Sequence, residues 1–296
     1  MTAFFLDFSL FLLKAITIVL AIIAVLFSIA SISRRESRQI GLTVEKLNDK
    51  YRDMADILQQ KVLGKADWKA HQKNQKKELK EIEKNSKHSE LQEKRIFVLD
   101  FKGDVRATAV ESLREEITAV ISVANQSDEV IVRLDNSGGA VQDHGLGASQ
   151  LQRIKDNKIP LVVIVDKVAA SGGYLMASVA NKIVAAPFAI IGSIGVLAQL
   201  PNFNRLLEKQ GIDWEQVTAG KYKRTLTMFG KNTEEDREKT RQDLEEVHGL
   251  FKGAVSFHRP NLDVESVSTG EYWYGTKAME LGLVDELGSS DDYLLN

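Results

Sequence analysis

Apolar residues dominate the start of the chain and recur in short runs after residue 95. Residues 15–33 are 19 consecutive positions without a charge. As a helix this segment would be about 28 Å long, close to the hydrocarbon thickness of a bilayer. The run is longer than the apolar part of an ordinary signal peptide, and an acidic residue, Asp7, precedes it. We therefore predict a retained transmembrane anchor within residues 1–33.

Basic residues next to this span indicate its orientation. Arg34, Arg35 and Arg38 follow the apolar run, whereas only Lys14 and Asp7 lie near its start. Because cytoplasmic flanks of membrane helices carry the excess of Lys and Arg, this distribution favours a cytoplasmic C-terminal side.

The next part of the chain, residues 34–94, is highly charged and predicts a helical stalk. Residues 69–94 contain 8 Lys and 5 Glu in 26 positions, with no Pro or Gly. Pairs such as Glu81 and Lys84 suit i,i+3 contacts on a solvated helix. The formal net charge of the whole chain is −2, so no strong positive field favours nucleic acid as a partner.

From residue 95 to residue 296, strand-like and helix-like patterns alternate. This order is typical of an α/β domain with a mainly parallel sheet. The predicted strands are residues 95–101, 129–134, 161–165 and 182–186, with a further strand-like piece at 214–217. The predicted helices are residues 110–123, 145–157, 172–179, 202–210 and 233–258.

A second apolar run, residues 183–201, could be mistaken for another membrane span. Pro187, Gly192 and Gly195 interrupt it, and buried strands of an α/β core have the same hydropathy. We predict that this run belongs to the core of the domain.

Two glycine-rich segments follow predicted strands, where sites of α/β proteins collect. Asn-Ser-Gly-Gly occupies 136–139, and Ala-Ser-Gly-Gly-Tyr occupies 170–174. A serine such as Ser171, between a strand and a helix, lies near backbone N–H groups that can stabilise an oxyanion. The pattern alone leaves open a nucleophilic serine, a purely structural turn, or a phosphate or acyl-CoA site. Neither segment matches a nucleotide-binding glycine motif.

Candidates for a general base and for other nucleophiles are few. The chain has no cysteine, which excludes a thiol nucleophile, a disulfide and a Cys-ligated metal. None of its five histidines has a recognised catalytic spacing, and His144, near the first glycine segment, is expected to be solvated at the surface. A lysine whose pKa is lowered by burial can serve instead. Lys221 and Lys223, beside Gly220, are the candidates.

Five motifs in the same order together resemble the S49 peptidase family, the signal peptide peptidase A group. The resemblance is greatest to its short, membrane-anchored members with a single catalytic domain. The family's N-S-P-G-G segment is similar to 136–139, where Gly138 stands at the usual proline. The other matching segments are 170–174, 192–196 (GSIGV), 219–223 (AGKYK) and 275–288 (GTKAMELGLVDELG).

The resemblance implies a catalytic domain at 95–296 with a crotonase-like or Clp-protease-like fold. It implies a serine endopeptidase in which Ser171 is the nucleophile and Lys223 the general base, with Lys221 as the rival. Gly138, Gly139 and Gly172 become candidates for the oxyanion hole. The implied reaction is hydrolysis of peptides, among them signal-peptide remnants and membrane-derived or unfolded segments. It needs no metal or organic cofactor.

The resemblance also implies how the protein is arranged in the cell. Relatives assemble as rings in which serine and lysine come from different copies, so a homo-oligomer with shared sites is expected. A single span in a bacterial-type inner membrane is expected as well. The larger relatives have periplasmic catalytic domains, which conflicts with the arginines after the span, so the side stays open. Two other functions are kept as alternatives, an acyl-CoA enzyme of the crotonase type and a non-catalytic membrane scaffold.

Overall fold

The computed structural model describes residues 13–14, 16–20, 42–88 and 94–295. Contacts divide the chain into two units, Met1–Glu83 and Lys84–Asn296. Within the described part of the chain, no helix is both long enough and apolar enough to cross a membrane. Residues 13–14 and 16–20 are helical, but the rest of the predicted anchor (residues 1–12, 15 and 21–33) lies outside the described residues.

Two helices, α1 (Leu47–Val62) and α2 (Lys65–His88), form the described part of the charged segment. The prediction of helix is confirmed for these residues. Asp56 of α1 accepts hydrogen bonds from the side-chain amide of Gln75 at 3.2 and 3.3 Å. His71 Nε2 lies 3.5 Å from the same carboxylate, so α2 folds back alongside α1. The segment is therefore a helical hairpin over these residues.

The second unit contains the alternating strands and helices. Its strands are β1 (Ile96–Lys102), β2 (Glu129–Asp135), β3 (Leu161–Val165), β4 (Val168–Ala170), β5 (Lys182–Ala185), β6 (Ile190–Gly192), β7 (Tyr272–Tyr274) and β8 (Glu286–Leu287). Its helices are α3 (Val110–Val123), α4 (Val141–Asp156), α5 (Gly172–Ser178), α6 (Asn204–Lys209), α7 (Glu234–His258), α8 (Val264–Val267), α9 (Gly275–Glu280) and α10 (Ser290–Leu295).

The strands form two sheets, and the larger one is parallel throughout. Its order is β1-β2-β3-β5-β8, with Val98 opposite Ile131 and Val163 opposite Ile183. The smaller sheet has the order β4-β6-β7, in which β4 and β6 are parallel and β7 is antiparallel. The predicted mainly parallel α/β domain is confirmed, and it is consistent with the Clp-protease-like fold that the resemblance implies.

Both faces of the larger sheet are covered, which explains its continuous apolar strands. Val130, Val132 and Leu134 of β2 point into the main core, which includes buried residues of α3, α4 and α5. Ile131 points to the opposite face, where Tyr293 and other residues of α10 pack. Since every residue of β3 is buried, no polar alternation is visible in its sequence.

The second apolar run, residues 183–201, is only partly core. Its first part provides β5, β6 and buried residues as far as Ile194, as predicted. Leu197 and Leu200 beyond it are exposed. The strand predicted at 214–217 is wrong, because these residues are irregular and Val217 is 96% exposed. Apolar residues there face solvent, with no neighbouring strand in the described chain to pair with.

Tyr174 connects α5 to the C-terminal part of the domain. Its side chain is fully buried, and its hydroxyl donates to the Leu283 carbonyl at 2.9 Å. Burial raises the pKa of the Tyr174 hydroxyl, so the group stays protonated and continues to donate.

Tyr174→Phe should destabilise the protein by about 1–2 kcal/mol, because the buried Leu283 carbonyl loses its donor. The measurement is urea denaturation followed by tryptophan fluorescence. Tyr272→Phe is the control, since Tyr272 is 56% exposed and should change stability little. Equal stability of the two variants would contradict the importance assigned to the buried hydroxyl.

Candidate active site

Ser171 lies at the junction between β4 and α5 in an unusual backbone conformation. Its φ is +52° and its ψ is −123°, a region that residues with a Cβ seldom adopt. Its N–H donates to the Gly192 carbonyl at 2.8 Å, and its own carbonyl accepts from Leu175 N at 3.0 Å. The side chain is partly exposed. Such strain persists only where surrounding contacts impose it, and it clusters at active sites.

The strand that leads into Ser171 was not predicted. The sequence placed the preceding strand near Val165, but the chain forms a second, three-residue strand, β4, before Ser171. This strand pairs with β6, whose last residue, Gly192, accepts the Ser171 N–H. Ser193, the next residue, also has a φ of +52°. The GSIGV motif therefore lies directly against the ASGGY motif.

Asn136 holds the first glycine segment beside the second. Its N–H donates to the Val168 carbonyl at 2.9 Å, and its carbonyl accepts from Ala170 N at 3.0 Å. These two bonds form an isolated parallel bridge between the end of β2 and β4. The side chain of Asn136 is 1% exposed, so the whole residue is part of the scaffold under the site.

Both segments need glycine because neighbouring atoms lie too close to leave room for a Cβ. A Cβ on Gly138 would lie 2.7 Å from Ser171 Cβ and 2.8 Å from Gly172 N. A Cβ on Gly139 would lie 2.6 Å from Val105 Cα. Gly138 also has a φ of +86°, which proline cannot adopt. At this position the loop therefore departs from a proline-containing N-S-P-G-G segment.

Two of the three candidate oxyanion donors are available. The Gly138 N–H donates to Asn136 Oδ1 at 2.9 Å, so it is already used. The N–H groups of Gly139 and Gly172 have no acceptor in the described part of the chain. Gly139 is exposed, and Gly172 directly follows Ser171. These two groups are the ones that a carbonyl oxygen beside Ser171 could use.

Among the described residues, no hydrogen bond joins Ser171 to Lys221 or Lys223. Lys221 and Lys223 lie in an irregular, exposed stretch between α6 and α7. Lys221 Nζ forms an ion pair with Glu235 at 2.6 Å and lies 4.9 Å from the Tyr222 ring. The hydrogen bond to Glu235 raises the pKa of Lys221, which holds it protonated. Within the described residues, no ion pair or hydrogen bond is recorded for the Lys223 ammonium.

His144 is the residue that sequence reasoning misjudged. The expectation of a solvated surface histidine is wrong, because the side chain is 0% exposed. The sequence did contain a signal for the burial of His144. His144 is in helical phase with Gly147, Ala148 and Leu151, which form the buried face of α4.

Comparison with known proteins identifies the family of the chain. The N-terminal model of peptidase family S49 matches residues 3–151, and the model of peptidase family S49 itself matches residues 153–296. A Buchnera aphidicola protein (subsp. Schizaphis graminum) named "Probable protease SohB" is 49% identical over 294 residues, covering 98% of this chain and 86% of that protein. A Haemophilus influenzae protein of the same name is 47% identical over 297 residues, covering 97% and 84%. The chain therefore belongs to peptidase family S49.

Proposed function

We propose that this protein is a membrane-anchored serine endopeptidase with Ser171 as nucleophile and Lys223 as general base. The observation that carries the proposal is the strained Ser171 at a strand–helix junction, flanked by the unpartnered N–H groups of Gly139 and Gly172. Gly172 is the first residue of α5, so its N–H has no acceptor within the helix, and Gly139 is exposed. Both N–H groups are therefore free to donate to a ligand with an acceptor oxygen.

The proposed reaction is acyl transfer to Ser171. Neutral Lys223 takes the hydroxyl proton as Oγ attacks a peptide carbonyl, and the Gly139 and Gly172 N–H groups stabilise the oxyanion. The protonated lysine then gives its proton to the leaving amine, and water hydrolyses the acyl-enzyme with the same lysine as base. Ser171, Lys223, the leaving amine and water account for every proton transferred, so the proposed reaction uses no metal or cofactor.

Lys223 rather than Lys221 is the proposed base for an electrostatic reason. A general base must lose its proton near neutral pH, which requires burial without a carboxylate partner. Lys221 is held as a cation by Glu235, whereas the Lys223 ammonium makes no ion pair or hydrogen bond with the described residues. Lys223 is nevertheless exposed in a single chain. We propose that a neighbouring copy buries it, so that each site combines Ser171 of one chain with Lys223 of another.

Exposed apolar side chains around the lysine segment support this assembly. Between β6 and α7 they include Leu197, Leu206, Ile212, Trp214 and Val217, with exposed fractions of 49–96%. This concentration of exposed apolar side chains in one segment favours an interaction surface there. Burying it against a second copy would also desolvate the lysine segment. The partners we propose are thus a homo-oligomer and peptide substrates.

Residues 1–33 are proposed to anchor the protein in a bacterial-type inner membrane. The support is the uncharged run at 15–33 and its flanking arginines. Substrates proposed on this basis are signal-peptide remnants and membrane-derived or unfolded segments, since these occur next to a membrane-bound protease. Reporter fusions after residue 94 would decide on which side of the membrane the catalytic domain lies.

Ser171→Ala and Lys223→Ala should each reduce peptide hydrolysis by at least about 10³-fold, because the proposed nucleophile and base act as a unit. Digestion of a peptide library by the wild type and each variant measures the loss. Lys221→Ala is the matched control and should retain most activity.

Loss of activity in Lys221→Ala with retained activity in Lys223→Ala would overturn the base assignment.

A serine-reactive fluorophosphonate should label the wild type and fail to label Ser171→Ala. Hydrolysis of acyl-CoA without such labelling would favour a crotonase-type enzyme instead.

Coassembly of Ser171→Ala and Lys223→Ala chains should restore activity, because some sites then combine an intact serine with an intact lysine. A random 1:1 mixture restores at most about a quarter of wild-type activity if each site uses two chains. The measurement is peptide hydrolysis after coexpression and copurification. Inactive mixtures that contain both chains would contradict a shared site.

Removal of residues 2–33 should release the protein from the membrane fraction. The physical reason is loss of the 19-residue uncharged run, the segment proposed to partition into the bilayer. Immunoblotting of soluble and carbonate-washed membrane fractions measures the change. Replacing Arg34, Arg35 and Arg38 by Gln, with the run intact, is the control and should leave the protein in membranes. Retention of the truncated chain in washed membranes would contradict the anchor.

A further inference from the structure

The buried side chain of His144 contacts both glycine segments. It lies on the first turn of α4 and is fully buried. One ring nitrogen, Nε2, lies 3.2 Å from Asn136 Oδ1, within the first segment. The ring also packs against the second segment, where a Cβ on Gly172 would lie only 2.7 Å from His144 Cδ2. One side chain therefore contacts Asn136, which holds the loop of Gly139, and also the second proposed donor, Gly172.

The orientation of the Asn136 side chain is determined by its other partners. The Gly138 N–H donates to Oδ1 at 2.9 Å, and the amide nitrogen points to Met176 Sδ at 3.4 Å. Oδ1 is thus an acceptor for His144 as well as for Gly138. Because Gly138 precedes the proposed donor Gly139, the position of Oδ1 determines where the glycine pair lies.

The two ring nitrogens of His144 face different acceptors. Nδ1 lies 2.9 Å from the Ala140 carbonyl, within α4's own first turn, while Nε2 faces Asn136. A neutral imidazole has one N–H and satisfies only one of these acceptors at a time. The contact through Nδ1 is local to the helix, whereas the contact through Nε2 reaches the loop that carries Gly138 and Gly139.

We propose that His144 is a positioning residue for the peptidase reaction, acting through an Nε2–H hydrogen bond to Asn136. This inference rests on the proposed function of Gly139 and Gly172. The imidazole fixes the first glycine segment through Asn136 and the second through contact with Gly172. It thereby sets the separation of the two N–H donors, on which stabilisation of the developing oxyanion depends. His144 itself does not touch the reacting atoms.

Two amide substitutions separate the two ring contacts. The side-chain NH₂ of glutamine can occupy the place of Nε2, and that of asparagine the place of Nδ1. His144→Gln therefore keeps a donor for Asn136, whereas His144→Asn keeps only the donor for Ala140. Ile154→Val, at another fully buried position of α4, is the control for general destabilisation.

We expect His144→Asn to lower kcat by about 10–100-fold with KM within about twofold, less than the loss on deleting an oxyanion donor outright. His144→Gln should stay within about threefold of wild type in kcat, and Ile154→Val should do the same. The measurement is steady-state hydrolysis of one fluorogenic peptide by the full-length protein in detergent. Activity is expressed per folded molecule, using circular dichroism and thermal unfolding.

Equal kcat values for His144→Asn and His144→Gln would overturn the proposal, as would a loss in His144→Asn no greater than in Ile154→Val at matched stability. If His144→Asn does not fold, Asn136→Ser replaces it. This variant removes the amide oxygen that faces both His144 and the Gly138 N–H, so it should lower kcat at least as much. Wild-type kcat in Asn136→Ser would then overturn the proposal. Retained activity in Ser171→Ala would instead contradict the proposed serine peptidase itself, so the two failures are distinguishable.

Discussion

The arrangement of this site depends on one backbone contact, the bridge between Asn136 and β4. Asn136 leaves the end of β2 in the five-stranded sheet, while β4 belongs to the three-stranded sheet. The two hydrogen bonds of the bridge, to Val168 and from Ala170, connect the sheets where both glycine segments begin. The bridge helps to set the distance between the Gly138 loop and Ser171. The proposed chemistry thus depends in part on a main-chain contact between residues that carry no catalytic group.

The strain at Ser171 is maintained from both sides of the residue. A non-glycine residue at positive φ costs roughly 1–3 kcal/mol, and the surrounding contacts must offset this. The N–H of Ser171 is bound to Gly192 of β6, and its carbonyl begins the hydrogen bonding of α5 through Leu175. The first contact continues the register of the short β4 with β6, and the second belongs to the start of α5. The smaller sheet therefore helps to hold Ser171 in a conformation that residues with a Cβ seldom adopt.

The sequence predicts the parts of this fold that depend on continuous apolar runs. Strand β3, buried throughout, and helix α3, with Leu113 and Ile117 inside, have clear patterns. The three-residue strands β4 and β6 have none, because their existence depends on pairing across the chain. Residues 214–217 show the reverse, a strand-like run whose side chains remain exposed.

The sequence identifies the residues of the candidate site better than it predicts the contacts between them. Ser171 and the glycines could be named from motifs, since close approach requires those residue types. The burial of His144 was missed because a polar residue beside a glycine turn is usually solvated, although its helical phase indicated otherwise. The proposed meeting of Ser171 and Lys223 needs a second copy, because Lys223 lies exposed in a single chain, and the pattern of one sequence does not determine a contact between copies.

The exposure of Lys223 has a consequence for when such a protease acts. Under the proposed arrangement a lone chain has the nucleophile but lacks the neighbouring copy that buries Lys223, so a newly made molecule would not hydrolyse peptides. Hydrolysis would begin only when copies meet, and its rate would then follow local concentration rather than cleavage of a pro-segment. The proposed anchor would raise that concentration by confining the chains to a membrane plane. Dilution or dissociation of the assembly would return each chain to latency without any chemical modification.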